Sequence, residues 1–137
     1  MSLSLTRNLR LTRLPTSSHD WSSFIAEFAR YVASMNTPAF TSPITPDLRN
    51  GDWVRITASG GGAFTINAPK GGYVGQVIDL TIRNTSGGAL GALTLNAAYK
   101  VSAVFPPPAN GYSRTVRFRY DGTNWVEVGR TAADVAN

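Results

Sequence analysis

The sequence contains no cysteine, which excludes a disulfide framework and a thiolate metal site. No run approaches the ~18 apolar residues of a membrane-spanning helix, so we expect no membrane insertion. Lysine is also scarce: Lys70 and Lys100 are the only lysines among 13 basic residues, and the formal net charge of +5 therefore comes from arginine. Arginine favours fixed, bidentate contacts with carboxylates and phosphates.

Candidate catalytic residues are equally few. The single histidine, His19, lies beside Ser17, Ser18 and Asp20. Residues this close on one turn cannot form the geometry of nucleophile, base and orienting acid, whereas they suit the start of a helix. The triplet Asn84-Thr85-Ser86 matches an N-glycosylation acceptor, which matters only in a secreted chain. We therefore predict a protein that is not an enzyme, needs no cofactor and binds no metal.

Residues 1–16 are predicted to form an extended docking arm. Its leucines occupy odd positions, a period of two that indicates a strand, and Pro15 ends the pattern. No neighbouring segment is a pairing partner, so the arm is expected to bind another chain. Its arginines suit acidic protein surfaces, and nucleic acid is disfavoured because no aromatic residues are interleaved with them. The candidate partner-binding residues are Leu3, Leu5, Arg7, Leu9, Arg10, Leu11 and Arg13.

Residues 17–36 are predicted to form an amphipathic helix with Ser17 as N-cap and Asp20 as the acid of a capping box. Apolar residues then recur at spacings of three and four. In one interpretation the helix caps its own β domain. In the other, several copies bundle about a symmetry axis, which needs support from the β domain because two heptads are too few. The candidate oligomerisation residues are Trp21, Phe24, Ile25, Phe28, Tyr31, Val32 and Met35.

Residues 37–51 are rich in proline and predict a stiff linker. Residues 52–131 show short alternating runs separated by glycine clusters, which predict a mainly β domain, an antiparallel β-sandwich or jelly roll, and residues 132–137 a C-terminal tail. Asp121-Gly122 is expected to turn the last hairpin. The predicted strands are Asp52 to Ala58, Ala63 to Asn67, Gln76 to Arg83, Ala92 to Asn96, Tyr99 to Val104, Arg114 to Tyr120 and Asn124 to Val128.

The two longest strands also predict which side chains face the core. One face is expected to carry Ile78, Leu80, Ile82, Val116, Phe118 and Tyr120. Arg117 and Arg119 then lie on the opposite face, where Asp79 or Glu127 is a candidate cross-strand partner. We favour solvated ion pairs there over a specific anion site.

Three runs carry a resemblance. They are Gly61-Gly-Ala-Phe-Thr-Ile-Asn-Ala-Pro69, Gly75-Gln-Val-Ile-Asp-Leu-Thr-Ile-Arg-Asn-Thr-Ser-Gly-Gly-Ala-Leu-Gly91 and Phe118-Arg-Tyr-Asp-Gly-Thr-Asn-Trp-Val-Glu127. Together they resemble a β domain found in tailed-bacteriophage virion proteins, in tail fibres, head fibres and decoration proteins. The resemblance spans about residues 61–130. It implies a homotrimer, and this favours the bundled helix.

The expected function is therefore that of a non-enzymatic phage virion structural protein. The chain lacks the shaft and repeats of a long fibre, which favours a trimeric capsid decoration or head-fibre protein. Such a protein would be made in the host cytoplasm and anchored by its arm to a phage capsid or tail protein. The alternative is a tail fibre, spike or carbohydrate-binding module whose loops, with Tyr73, Phe105 and Tyr112, bind a host-surface glycan. We favour the interpretation that these aromatic residues cover subunit seams.

Overall fold

The structure, a computed structural model, describes residues 21–26 and 34–137. Residues 21–26 are helical and are called α1. The predicted arm, its seven candidate binding residues, and Phe28, Tyr31 and Val32 of the predicted stripe lie outside the described residues. Nearly all regular structure in residues 34–137 is β, and the prediction of a mainly β domain is confirmed.

Within the described residues there are nine strands and a 3₁₀ turn at Leu48–Asn50. The strands are β1 (Met35–Asn36), β2 (Trp53–Ala58), β3 (Phe64–Ile66), β4 (Val77–Asn84), β5 (Leu93–Leu95), β6 (Tyr99–Lys100), β7 (Tyr112–Tyr120), β8 (Trp125–Arg130) and β9 (Val135–Ala136).

Seven of these strands form one large sheet in the order β1-β2-β4-β7-β8-β6, with β9 also paired to β7. β4 with β7 and β7 with β8 are antiparallel, but β1 with β2, β2 with β4 and β6 with β8 are parallel. β3 and β5 form a separate parallel pair, the small sheet. The pairing is therefore mixed rather than all antiparallel. Hydrophobic alternation does not encode strand direction, and residues 59–76 cross over with β3 before β4 returns beside β2.

The core lies between the small sheet and one face of the large sheet. Alternate residues of the central strands point into it, so the predicted rows are confirmed: Ile78, Leu80 and Ile82 are at most 1% exposed, and Val116 and Phe118 are fully buried. Tyr120 packs against the same cluster. The large sheet further contributes Val54, Ile56, Tyr99 and Trp125, and the small sheet Phe64 and Ile66.

The predicted C-terminal end of the helix at residue 36 is wrong. Met35 and Asn36 were expected to end the helix, but they form β1 and pair in parallel with Trp53 and Val54. The Asn36 side chain is buried and donates from Nδ2 to the carbonyl oxygens of Asp47, at 2.7 Å, and Gly51. These hydrogen bonds hold residues 35–36 in the sheet. The spacing of apolar residues along the chain could not predict them, because their acceptors lie more than ten residues away.

The predicted linker packs as part of the β domain. Ile44 and Leu48 are buried in the core. The backbone N–H of Ile44 donates to the carbonyl oxygen of Thr65, and its carbonyl oxygen accepts from the backbone N–H of Asn67, so that Ile44 lies beside Ile66 of β3. The C-terminal segment also pairs with the sheet through β9. Proline prevents a segment from joining the interior of a sheet, but it does not prevent its apolar side chains from packing.

The predicted strand from Tyr99 to Val104 is strand only at Tyr99–Lys100. The next residues form a loop that is hydrogen-bonded to two side chains of β8. Glu127 accepts hydrogen bonds from the backbone and hydroxyl of Ser102, and Arg130 donates to the carbonyl oxygens of Ala103 and Val104. By contrast, the predicted Asp121-Gly122 turn does connect β7 to β8, with Gly122 at a φ of 100° and the Asp121 carboxylate accepting from the backbone of Thr123 and Asn124.

Candidate functional site

The large sheet has a second face that points away from the core, which we call the open face. The small sheet covers only the opposite face. On β2, β4 and β7 the open face is formed by the residues that alternate with the buried ones. They are Trp53, Arg55 and Thr57 on β2, Val77, Asp79, Thr81 and Arg83 on β4, and Ser113, Thr115, Arg117 and Arg119 on β7.

A shallow groove crosses the open face. Two adjoining depressions of about 300 and 360 Å³ share Asp79, Thr115 and Thr131 in their lining. One extends to Val128 and Gly129 of β8, and the other to Trp53 and Val135. The two depressions together form a groove that spans the width of the sheet, with Trp53 of β2 on one side and Val128 of β8 on the other.

The floor of the groove is polar, and its polar atoms largely satisfy one another. The indole Nε1 of Trp53 donates to Thr81 Oγ1 at 2.9 Å, and the hydroxyls of Thr81 and Thr115 lie 2.8 Å apart. The backbone N–H of Thr115 donates to Thr131 Oγ1 at 3.2 Å. These bonds fix the Trp53 ring in place and leave the threonines few free donors for a ligand.

Arg117 and Asp79 form a bidentate ion pair on the open face. Arg117 Nε donates to Asp79 Oδ1 at 2.8 Å and Nη2 to Oδ2 at 3.0 Å, and the two residues lie directly opposite in the β4–β7 register. The predicted cross-strand partnership is confirmed for Asp79. Glu127 instead pairs with Arg130 of its own strand. Because Asp79 neutralises Arg117, this pair does not form an anion site.

Three further arginines of the open face have no carboxylate within ion-pairing distance in the described part of the chain: Arg55, Arg83 and Arg119. Arg55 Nε is also buried without an acceptor among those residues. A buried donor that lacks a partner costs about 1–3 kcal/mol. The open face therefore has an excess of positive charge and one unmet hydrogen-bonding requirement.

Large apolar side chains on both sides of the groove and on the neighbouring strands remain accessible. Exposed fractions are 42% for Trp53 and 54% for Val128. Met35, Val126 and Val135 are exposed as well. Exposed apolar side chains that flank a groove are typical of surfaces that other proteins cover. The sequence showed the outward rows of β4 and β7, but gave no signal that Trp53 and Val128 lie on the same face.

The structure separates the three aromatic residues predicted for a ligand-binding loop. Phe105 is 5% exposed, in the core, with the Arg130 guanidinium 5.6 Å above its ring. Tyr73 is exposed beside the end of β7, where Gly75 bonds to Tyr120, whereas Tyr112 begins β7. At ~3.4 Å per residue, β7 places its two ends roughly 25 Å apart. The three side chains cannot contact one small ligand.

The predicted oligomerisation stripe is described only in part. Trp21 and Ile25 are 41% and 57% exposed, and Phe24 is half-buried with its ring against Trp21, the centroids being 5.6 Å apart. Met35 belongs to β1 rather than to the helix. The described part of the helix therefore presents exposed apolar side chains.

The glycosylation triplet has a structural role. Asn84 is fully buried; its Nδ2 donates to the carbonyl oxygens of Gly88 and Pro108, both at 3.0 Å, and its Oδ1 accepts from Ser86. All its side-chain polar atoms are thus used to hold the loops beyond β4 and before β7. The amide is not accessible for glycosylation in the folded domain.

In residues 21–26 and 34–137, no group of three or more metal-ligating side chains occurs and no helix is long and apolar enough to cross a membrane. A scan against protein-family models, a search of curated proteins and a search of solved structures found no match to this chain.

Proposed function

We propose that the protein is a non-enzymatic structural protein of a bacteriophage virion, a homotrimer that decorates the capsid or forms a short head fibre. The open face is the observation that carries this proposal. Its floor is internally hydrogen-bonded and its rim is apolar, so it is suited to burial against protein rather than to chemistry on a small substrate.

The location of the phage-like runs supports the proposal. Residues 75–84 of the second run lead into and form β4, and the third run forms the end of β7, the Asp121-Gly122 turn and the start of β8. The resemblance therefore falls on the centre of the large sheet. In this proposal the large and small sheets correspond to the two layers of the sandwich domain of such virion proteins.

Attachment is assigned to the N-terminal arm. Its leucines would be buried by strand addition to a capsid or tail protein, and Arg7, Arg10 and Arg13 would pair with acidic sites there. In the virion, the β domain would project outward from this anchor.

The first test is the solution mass of the full chain by light scattering. The proposal expects a particle near three times the chain mass of 14.7 kDa. A monomer would contradict the trimer and leave the helix as an internal cap.

Deletion of Met1 to Arg13 tests the anchor. The truncated protein should keep its oligomeric mass but no longer co-sediment with phage particles assembled without the wild-type protein. The full-length chain added to the same particles is the control. Truncated protein that still binds particles would exclude the arm as the anchor.

A further inference from the structure

We infer that the open face is the binding site for α1 of a second copy of this chain. This rests on the proposed homo-oligomer and specifies the contact that holds it together. Trp21 and Ile25 would lie along the groove between the raised rims formed by Trp53 and Val128.

The shape of the groove fits one helix. Its lining combines small residues, Thr81, Thr115, Thr131 and Gly129, with the Asp79–Arg117 ion pair, and the larger apolar side chains of Trp53 and Val128 stand on either side. Strands lie ~4.8 Å apart, so the distance from β2 across β4 and β7 to β8 is about 14 Å. A helix with its side chains is about 10–12 Å across. Packing a helix on the uncovered face of a sheet also completes a common layered architecture.

The occupant is argued from the chain itself. The open face is apolar at its rim, and α1 exposes the aromatic and aliphatic side chains that such a rim would bury. Because Trp21 and Ile25 are exposed, α1 is not seated in the groove of its own protomer. Residues 27–34 connect α1 to β1, whose Met35 lies beside Trp53 at the rim. At most ~3.4 Å per residue, these residues reach about 27 Å, enough to place α1 on an adjacent copy.

Charge complementarity points to the same occupant. The open face carries Arg55, Arg83, Arg117 and Arg119 against one carboxylate, Asp79. On either side of α1 the sequence carries two acids, Asp20 and Glu27, and one arginine, Arg30. A helix from a second copy would bring carboxylates to a face with an excess of positive charge.

The contact can be tested directly by disulfide cross-linking. Because the chain contains no cysteine, each introduced thiol is the only one in its chain. Ile25→Cys and Val128→Cys chains, with different affinity tags, are refolded together and oxidised, and the products are separated without reductant. In the mixture we expect a disulfide-linked dimer that carries both tags. This dimer should be absent when either variant is oxidised alone. Val104→Cys, an 85% exposed valine in the loop after β6, replaces Val128→Cys as the matched control and should give no such pair.

The other outcomes are decisive as well. A Val128→Cys chain that links to itself would mean that two open faces meet, and a double variant that closes a disulfide within one chain would mean that α1 covers its own protomer; either result overturns the inference. A trimeric wild-type mass without the Ile25–Val128 link overturns the inference but leaves the proposed function standing. A monomeric wild type overturns both.

Discussion

At the scale of single residues, Glu127 and Arg130 show how two side chains shape a loop. Arg130 donates to Glu127 from Nε at 2.5 Å and from Nη2 at 2.7 Å, and the Glu127 side chain is only 7% exposed. Both residues also bond to the loop at 102–104, and the Arg130 guanidinium lies over Phe105. A register shift between Arg117 and Phe118 brings both charged side chains to the side of the sheet that this loop covers.

This pair predicts a loss of stability in acid. The hydrogen bonds from Arg130 lower the pKa of Glu127 from 4.5 to about 2. A carboxyl with a lowered pKa in the folded state stabilises the fold above its unfolded pKa, and this contribution is lost as the pH falls from about 4.5 towards 2. Glu127→Gln should therefore cost on the order of 1–2 kcal/mol at pH 7 and flatten the dependence of unfolding free energy on pH in that window.

Urea unfolding at several pH values measures the effect. The control is Asp79→Asn, which removes the more exposed Arg117 pair and should destabilise the fold less at pH 7 than Glu127→Gln does. Equal losses for the two variants at pH 7, or an unchanged acid limb for Glu127→Gln, would contradict the assigned role of Glu127.

At the scale of elements, the C-terminal segment is a strand where the sequence predicted a tail. β9 pairs with the first residues of β7, and Asn137 bonds through its backbone to Gly111 and through its Nδ2 to Asn84, at 3.0 Å each. Asp134 forms an ion pair with Arg114 and accepts from the backbone of Ala109. The segment therefore closes the end of the sheet where the buried Asn84 lies.

Deletion of residues 132–137 should destabilise the domain. The loss of these hydrogen bonds and of one ion pair is expected to cost roughly 2 kcal/mol, which lowers the Tm of a domain of this size by roughly 10 °C. Asp134→Ala, which keeps β9 in the chain, should lower the Tm by less. Thermal unfolding followed by circular dichroism makes the comparison, and an unchanged Tm for the deletion would show that β9 adds no stability.

At the scale of the whole molecule, the folding unit is larger than the predicted residues 52–131. The core includes Ile44 and Leu48, and the sheet extends from β1 at Met35 to β9 at Ala136. Every strand of the described chain and every residue of the core cluster lies in residues 34–137. The unit that has to be kept intact is therefore residues 34–137.

We expect residues 34–137 to fold alone, with a cooperative thermal transition and the β-type circular dichroism spectrum of the full chain. Because this fragment lacks α1, it should be monomeric by light scattering if α1 joins the subunits. The fragment 52–131 is the control and should not fold cooperatively, since it lacks Ile44, Leu48, β1 and β9. Cooperative folding of 52–131 would restore the shorter domain boundary, and a trimer of 34–137 would remove α1 from the interface.

The sequence alone determined the local features of this protein. Alternation in β4 and β7 placed Ile78, Leu80 and Phe118 in the core and Asp79 and Arg117 on the other face, because neighbouring side chains in a strand point to opposite faces whatever the strand's partners are. Asp121-Gly122 predicted its turn because a left-handed φ is easily adopted only by glycine.

Only the tertiary structure determined the order and direction of the strands. It also determined that Met35 pairs with the sheet and that Trp53 and Val128 lie on the same open face. These features depend on contacts between residues far apart in the chain. Asn36, for example, gains its buried hydrogen bonds from Asp47 and Gly51, and parallel pairing of β2 with β4 follows from the crossover through β3. Local periodicity gives the same pattern for either strand direction and for either neighbour, so the choice is made by burial of the whole core.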